Sequence, residues 1–355
     1  MNILIDIGHP GHVHLFKNYY QIMKNEGHNV LFTTREKECS VALLKAYNLP
    51  FENLGKPKKG IVKKLLGLFL FGKKIYQISK KHKIDLYLSV SSMYAAHVSF
   101  IRGKKHIVLD DTEHSRFEHM LYKPFSDLLV NPRVFEKDFG KKQIRYDGFH
   151  ELAYLHPYNF KADSSIFQYL GIDENEAFSI VRFVSWNAGH DLKQVGLSLE
   201  QKIEVVKKIA QKSKVFITSE GDLPNELRKY QISIAPERMH DALSFANLYV
   251  GEGATMASEC AMIGTPAIYI NSLDAGTLKA QSEMGLLHSF RDYKGVPNQI
   301  ESILSDKNSK EKYRQKANII MRQKVDLSQF LAKLSYSLFD KRASVQNNIK
   351  SKQAA

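Results

Sequence analysis

The segment of residues 251–270, GEGATMASECAMIGTPAIYI, constrains the fold more than any other part of the chain. The apolar run that precedes it ends at Gly-Glu-Gly, which permits a tight turn and a close approach of the backbone. A short helix follows, which Gly264 ends and Pro266 prevents from resuming, and a second apolar run begins at residue 267. The pattern is strand, glycine turn, helix, strand, which is the repeating unit of a parallel sheet covered by helices.

The start of this helix is a candidate anion-binding site. The first N–H groups of a helix have no intrahelical partners and lie at the positive end of the helix dipole, so they attract phosphate. Gly253, Ala254 and Thr255 form this start, and Glu259 follows about one turn later, within reach of a sugar hydroxyl beside the phosphate. Glu252 is also a donor-site candidate, but its charge opposes phosphate unless it faces away or binds a hydroxyl or a cation. The alternative is an ordinary turn whose glycines serve packing.

Strand and helix signals alternate along the rest of the chain, which predicts two doubly wound α/β domains. The length of 355 residues also fits two domains better than one. A polar stretch divides the chain into an N-terminal domain of residues 1–160 and a second domain of residues 161–325. Residues 326–355 are predicted to form a C-terminal helix and a polar tail. Ligands of open α/β sheets bind beyond the carboxyl ends of the strands, so we expect the site in a central cleft that both domains face.

Three histidines, His9, His12 and His14, lie directly after the first predicted strand. The ordinary imidazole pKa of about 6.5 suits removal of a proton from a hydroxyl, so these residues are candidate catalytic bases. The alternatives are histidines that cap the next helix or pack in the core, and a metal site. A metal site is disfavoured, because residues two positions apart face different sides of a helix and the chain has no His-Glu-x-x-His motif.

Polar groups follow three further predicted strands. The candidates for binding a diphosphate or a nucleobase are Arg182, Ser185, Asn187, His190, Ser219 and Glu220. The guanidinium of arginine suits this role because it donates paired hydrogen bonds to phosphate oxygens. In the first domain, the run Asp110-Asp111-Thr112-Glu113-His114 suggests a Mg²⁺ site or a general base, and Glu113 and His114 are candidates for the acceptor side. Each group also fits an ordinary turn or a solvated helix start.

One segment supplies most of the net charge of +14. Residues 56–83 contain ten lysines and no acidic residue, and they surround an apolar centre at residues 65–71. This composition is typical of a helix that lies on an anionic membrane surface with its lysines at the headgroups. Nucleic acid is not expected, since it favours arginine and stacking aromatics. The alternative is a core helix with a solvated lysine face.

Together, these features resemble the GT-B superfamily of nucleotide-sugar enzymes. HPGHVHLF, FVSWNAGHD and GEGATMASECAMIGTP are similar, in combination, to an uncharacterised bacterial and archaeal family within that superfamily, over residues 1–335. The resemblance implies two Rossmann-like domains that face a central cleft. It also implies that residues 253–255 hold the diphosphate, that Glu259 binds the ribose, and that His12 acts as base or contacts the acceptor.

The activity that the resemblance implies is a glycosyltransferase acting on a nucleotide diphosphate sugar, with UDP as the expected nucleotide. The expected acceptor is lipid-linked or a polysaccharide, in cell-envelope synthesis. No metal or cofactor is expected, because without an Asp-x-Asp motif the protein's own groups would stabilise the leaving diphosphate. A non-hydrolysing UDP-GlcNAc 2-epimerase-like enzyme and a non-catalytic sugar-nucleotide-binding protein are the alternatives.

The sequence also predicts a location. Two cysteines, far apart in the chain, give no disulfide framework, which favours the cytoplasm. No apolar run approaches the ~20 residues that a membrane-spanning helix needs. The basic segment therefore predicts a peripheral protein at the inner face of the cell membrane.

Overall fold

A computed structural model describes residues 1–56, 61–183, 197–219, 222–272 and 275–339, with side chains of the helix that begins at Ile61 described from residue 69. The chain divides into two compact units, Met1–Tyr154 together with the segment from Val325, and Leu155–Lys324. Each unit contains a parallel sheet covered by helices, which confirms the predicted α/β class with two Rossmann-like domains. The division lies at Tyr154, whereas the sequence placed it at residue 160, and the C-terminal helix belongs to the first unit.

The strands are short and mostly buried, as expected for parallel sheets covered on both faces. They are β1 (Asn2–Ile7), β2 (Asn29–Thr34), β3 (Phe51–Asn53), β4 (Leu86–Val90), β5 (Lys105–Leu109), β6 (Leu128–Pro132), β7 (Gln143–Tyr146), β8 (Phe178–Arg182), β9 (Lys214–Ile217), β10 (Leu248–Gly251), β11 (Ala267–Ile270) and β12 (His288–Phe290).

The helices connect successive strands and cover the sheets. They are α1 (Pro10–Asn25), α2 (Ser40–Ala46), α3 (Ile61–Lys81), α4 (Met93–Ile101), α5 (Arg116–Tyr122), α6 (Leu152–Leu155), α7 (Ile166–Leu170), α8 (Leu199–Ala210), α9 (Met239–Phe245), α10 (Ala254–Ile263), α11 (Gly276–Glu283), α12 (Val296–Ser305), α13 (Ser309–Met321) and α14 (Leu327–Ser337). None of the helices in the described part of the chain has the length and apolar character needed to cross a membrane.

The first sheet has the strand order β3-β2-β1-β4-β5-β6-β7, and the second has the order β12-β11-β10-β8-β9. In each sheet the direction of winding reverses once, between β1 and β4 in the first and between β8 and β10 in the second. At such a reversal the loops after the two strands diverge, and a crevice opens at the carboxyl edge. Each sheet therefore has one position where its topology favours a ligand.

The glycine segment has the predicted form, with β10, α10 and β11 in succession. A Cβ on Gly251 would lie 2.6 Å from the carbonyl oxygen of Arg182 and would overlap the hydroxyl of Tyr249. Gly264 ends α10 with a φ of 77°, and a Cβ there would lie 2.5 Å from the Cα of Arg314 in α13. Both glycines are therefore required by close backbone packing.

The C-terminal helix α14 completes the first unit by packing on α1. The hydroxyl of Tyr19 in α1 lies 2.9 Å from Oγ of Ser335. Asn18 and Ser328, one from each helix, both donate hydrogen bonds to the carbonyl of Ala153 at 2.9 Å. The sequence predicted that residues 326–355 form a separate helix and tail. Because of these contacts, the described part of that segment, up to residue 339, belongs to the first unit.

Candidate functional site

In the second unit, three loops at the carboxyl edge bring polar groups to the reversal between β8 and β10. Arg182 ends β8, Thr218 follows β9 and the glycine turn follows β10. Nη1 of Arg182 lies 3.5 Å from Oγ1 of Thr218, and the carbonyl of Arg182 accepts a hydrogen bond from the N–H of Glu252 at 3.2 Å. Ser219 is next to Thr218 and partly buried. The candidates Ser185, Asn187, His190 and Glu220 lie outside the described residues.

The start of α10 is open to solvent. Gly253 is the residue before the helix, and no described side chain caps the first N–H groups. Ala254 and Thr255 are exposed, so the N–H groups of this turn lie where an anion can approach. This is the arrangement that a phosphate site at a helix start requires.

The carboxylate of Glu252 points into the protein. Its Oε1 lies 3.1 Å from Nζ of Lys202 in α8, and each side chain is only 8% exposed. Asn271, after β11, donates a hydrogen bond to the Glu252 carbonyl at 3.1 Å. Lys202 therefore compensates the negative charge of Glu252. The sequence had left the role of this acid beside the predicted phosphate site open.

Glu259 is also buried. Its Oε1 lies 3.0 Å from Nε2 of His240 in α9, and both side chains are nearly inaccessible to solvent. One carboxylate oxygen thus holds α9 against α10.

In the first unit, two of the three predicted catalytic histidines have structural roles. Nδ1 of His9 accepts the N–H of Gly11 at 3.1 Å and caps α1. His14 is buried, its ring stacks on Tyr154 at 5.5 Å between centroids, and its Nδ1 lies 3.1 Å from the hydroxyl of Tyr47. These are the capping and packing roles that the sequence allowed as alternatives to catalysis.

The hydrogen bond of His12 determines its tautomer. Its Nδ1 accepts the N–H of Gly8 at 3.2 Å, and because a backbone N–H can only donate, this nitrogen carries no proton. Burial, and after it the charges of His9, His150 and Arg35, together lower the pKa of His12 to about 3, although the charge of Asp111 acts to raise it. The ring is therefore neutral with its proton on Nε2, so that His12 offers a hydrogen-bond donor rather than a proton acceptor.

A second histidine, which the sequence analysis missed, lies at the same edge. His150 follows β7, and its Nδ1 lies 3.2 Å from Oδ2 of Asp111, which follows β5. Burial acts to raise the pKa of Asp111, but the charge of His150 and the hydrogen bond to it lower that pKa below its ordinary value. The position of His150 just after a strand was the available signal, since loops at strand ends carry functional groups.

The other members of the acidic run have different surroundings. Asp110 is buried, accepts a short hydrogen bond from Tyr122 and lies 2.9 Å from Nε2 of His119, so it anchors α5. Oε1 of Glu113 lies 3.5 Å from the N–H of Glu136, and His114 is exposed. In the part of the chain that the structure describes, no group of three or more His, Cys, Asp or Glu residues is placed to hold a metal ion.

A buried ion pair supports the loops around the reversal of the first sheet. Asp6, near the carboxyl end of β1, lies 3.3 Å from Nη1 of Arg35 and accepts hydrogen bonds from Ser92 at 2.5 Å and Thr33 at 2.9 Å. Nη2 of Arg35 also donates to the carbonyl of Ile7 at 2.8 Å. This network fixes the loops that follow β1, β2 and β4.

Two Rossmann-like units, each with polar loops at the carboxyl edge of a parallel sheet, define the chain as a protein of GT-B fold. It is similar to the UDP-GlcNAc 2-epimerase from Neisseria meningitidis bound to UDP-GlcNAc, with a TM-score of 0.68 at 11% identity over 95% of this chain and 98% of that chain. It is also similar to the spinosyn forosaminyltransferase SpnP, with a TM-score of 0.64 at 10% identity over 96% of this chain and 100% of that chain. At such identities the similarities establish the fold.

The chain belongs to the family described as "Protein of unknown function (DUF354)", whose model matches residues 1–331. It is 24% identical over 287 residues to the uncharacterized protein MJ0665 of Methanocaldococcus jannaschii, covering 76% of this chain and 81% of that protein. The matched family therefore has at least one member, this chain, with the GT-B fold.

Proposed function

We propose that this protein is a metal-independent glycosyltransferase that transfers a sugar from a nucleotide diphosphate sugar, with UDP as the expected nucleotide. The observation that carries the proposal is the carboxyl edge of the second sheet, where Arg182 lies beside the open start of α10 at the topological reversal. Both groups are suited to an anion, and the pairing of Glu252 with Lys202 reduces the repulsion that would oppose one. The solved structures of similar fold include a sugar-nucleotide epimerase and a glycosyltransferase.

In the proposed reaction, the second unit binds the diphosphate and stabilises the charge that builds on it as the bond to the sugar breaks. Arg182 and the N–H groups of residues 253–255 supply that stabilisation, and Glu259 is a candidate contact for the ribose. The first unit binds the acceptor, with the Nε2 proton of His12 as a hydrogen-bond donor at the carboxyl edge of its sheet.

Calorimetry with UDP and UDP-GlcNAc tests the donor site. We expect Arg182→Ala to weaken binding by about tenfold or more, since a charged hydrogen bond contributes about 1.5–3 kcal/mol. Arg322→Ala, an exposed arginine of the same unit, is the matched control and should bind as the wild type does. Absence of binding to both ligands by the wild type would contradict the proposal.

Incubation with UDP-GlcNAc alone distinguishes the two enzyme classes. An epimerase converts this substrate without a second one, whereas a transferase releases UDP only when an acceptor is present. Donor binding without conversion, with every acceptor tried, would favour the non-catalytic alternative.

We further propose that the acceptor is lipid-linked or a cell-envelope polysaccharide and that the first unit binds an anionic membrane. Part of the basic segment, residues 57–60, lies outside the described residues. From residue 69, where the side chains of α3 are described, Phe71 and Ile75 are buried in the core as the packing alternative requires, while Phe69 is 75% exposed. From residue 69 onward, α3 therefore has buried and exposed apolar side chains on different parts of its surface.

Exposed apolar residues on the neighbouring helices support this proposal. Phe100 and Ile101 of α4 and Phe117 and Met120 of α5 leave 62–72% of their surface exposed. Next to α5, a pocket of about 580 Å³ combines apolar walls with amines, and its lining is His119, Met120, Lys123, Pro124, Phe139, Lys141 and Lys142. Apolar groups flanked by lysines match an anionic lipid surface, with acyl chains for the former and headgroup phosphates for the latter.

A further inference from the structure

Two imidazoles at the carboxyl edge of the first sheet carry their protons on opposite nitrogens. Nδ1 of His12 accepts a backbone N–H, which leaves the proton on Nε2. Nδ1 of His150 faces the carboxylate of Asp111 at 3.2 Å, and a carboxylate can only accept, so Nδ1 of His150 carries a proton. When the ring of His150 is neutral, its Nε2 has a free lone pair.

Nε2 of His150 is buried and has no hydrogen-bond partner among the described residues. Buried polar atoms are almost always paired, so an unpaired one in a ring that is fixed at its other nitrogen calls for an explanation. A histidine held by a carboxylate through Nδ1, with Nε2 open to a substrate group, is the arrangement of a general base.

The charges around His150 favour this role. Burial alone would lower the pKa of His150, but the Asp111 carboxylate and its hydrogen bond outweigh burial and raise the pKa above 6.5. Glu151 and Asp110 act in the same direction. The other titratable neighbours are His12 and Tyr146, whose ring stacks on that of His150 with an angle of 11°. The surroundings of His150 thus strengthen a base, whereas burial weakens His12.

We infer that Nε2 of His150 accepts the proton of the acceptor hydroxyl, that Asp111 is its positioning residue, and that His12 is not the base. The inference rests on the proposed function. The hydroxyl proton moves to Nε2, and the acceptor oxygen forms the bond to the anomeric carbon. The bond from that carbon to the diphosphate breaks, and its electron pair leaves on the phosphate oxygen. Since Nε2 is closed to solvent, the side chains around it must separate when the acceptor binds.

Nitrogen-15 NMR of the imidazoles tests the proton placement without any substrate. In the wild type we expect His150 as the Nδ1–H tautomer with a pKa above 6.5, and a lower pKa in Asp111→Asn. We expect His12 to stay neutral, as the Nε2–H tautomer, down to about pH 4, since its pKa is lowered to about 3. Titration of His12 near 6.5, a proton on its Nδ1, or no change in the pKa of His150 in Asp111→Asn would overturn the inference.

The pH profile of kcat/KM tests the catalytic role. His150→Gln should lower kcat by about 10²–10⁴-fold, the range for loss of a general base, and should abolish the acidic limb of the profile. Asp111→Asn, which keeps the shape of the side chain, should move that limb to lower pH because it lowers the pKa of the base. His97→Gln is the matched control, since a glutamine can still donate to the Leu121 carbonyl that His97 contacts at 2.8 Å.

Retention of the wild-type acidic limb in His150→Gln, or its loss in His12→Gln, would contradict the assignment. The proposed function and this inference fail separately. A wild-type protein that binds no nucleotide sugar defeats the proposed function, while the NMR measurement still decides whether Asp111 holds His150 as a base.

Discussion

Nζ of Lys202 lies 3.1 Å from Oε1 of Glu252, and the two residues come from helix α8 and from the turn after β10. The pair is buried, so neither charge is screened by water to the extent of a surface pair. It places a compensated acid directly below the open start of α10. The anion site that we propose at that helix start would therefore depend on Lys202, which the sequence pattern did not single out.

Lys202→Met should lower the free energy of unfolding by about 3–5 kcal/mol, since it leaves a buried carboxylate without its partner. It should also weaken UDP binding, because an uncompensated negative charge then lies close to the proposed phosphate site. Urea unfolding and calorimetry measure the two effects.

Lys207→Met is the control: it removes an exposed ion pair with Glu226 and should lower the free energy of unfolding by less than about 1 kcal/mol. The double variant Lys202→Met/Glu252→Gln should recover much of the loss, and equal losses in the single and double variants would argue against the pairing.

The two glycines of the turn should respond differently to alanine. Gly251→Ala places a Cβ 2.6 Å from the Arg182 carbonyl and should cost about 3 kcal/mol or more, since backbone cannot yield as a side chain can. For Gly253→Ala the nearest atom within 4 Å is the Tyr249 hydroxyl at 4.0 Å, so only the preference for glycine at a helix cap is lost, about 1 kcal/mol. Thermal unfolding of the two variants compares them, and similar losses would be inconsistent with this packing.

Stability should fall on acidification in part because of His106. Its ring is buried between Ser89 and Ser126 at 2.9 Å, and burial lowers its pKa to about 3 in the folded protein. The unfolded chain takes up a proton below about pH 6.5 that the folded chain does not, so folding loses about 1.4 kcal/mol per pH unit from there down to pH 3. His106→Gln should therefore reduce the stability difference between pH 7 and pH 5 by about 2 kcal/mol. Exposed His114→Gln is the control, and an unchanged difference in His106→Gln would refute this account.

Membrane binding should depend on the exposed residues of α5. Phe117→Ser/Met120→Ser should reduce flotation with anionic vesicles severalfold, and high salt should weaken binding of the wild type. Ile319→Ser, at a residue of the second unit that is 65% exposed, is the matched apolar control. Equal binding of the wild type to neutral and anionic vesicles would leave the lysines without a role.

The sequence predicted those elements of secondary structure that depend only on neighbouring residues in the chain. The strand, turn, helix and strand around residues 251–270 follow from apolar runs and from glycine and proline positions. The packing that requires glycine at 251 was not accessible, because it depends on the carbonyl of Arg182 in a neighbouring strand. The sequence directed the search for function to loops after strands, but the pattern did not show which polar side chains of different loops lie in contact.

The histidines illustrate this limit. Three histidines within six residues led to the prediction of a base, yet His9 caps α1 and His14 packs inside the first unit. His150 stands apart in the sequence and meets Asp111 only because β5 and β7 end at the same edge. Composition and spacing carry no information about such a contact between distant side chains, because the order of the strands in the sheet determines it.

The packing of α14 on α1 has a consequence for biosynthesis. A ribosome releases the second unit as one continuous stretch, so that unit is able to fold while the rest of the chain is being made. The strands of the first unit are made first, but the contact of Tyr19 in α1 with Ser335 in α14 forms only after Ser335 has been made. The N-terminal half therefore matures last, and a chain stalled before α14 exposes the apolar side of α1 to chaperones and proteases.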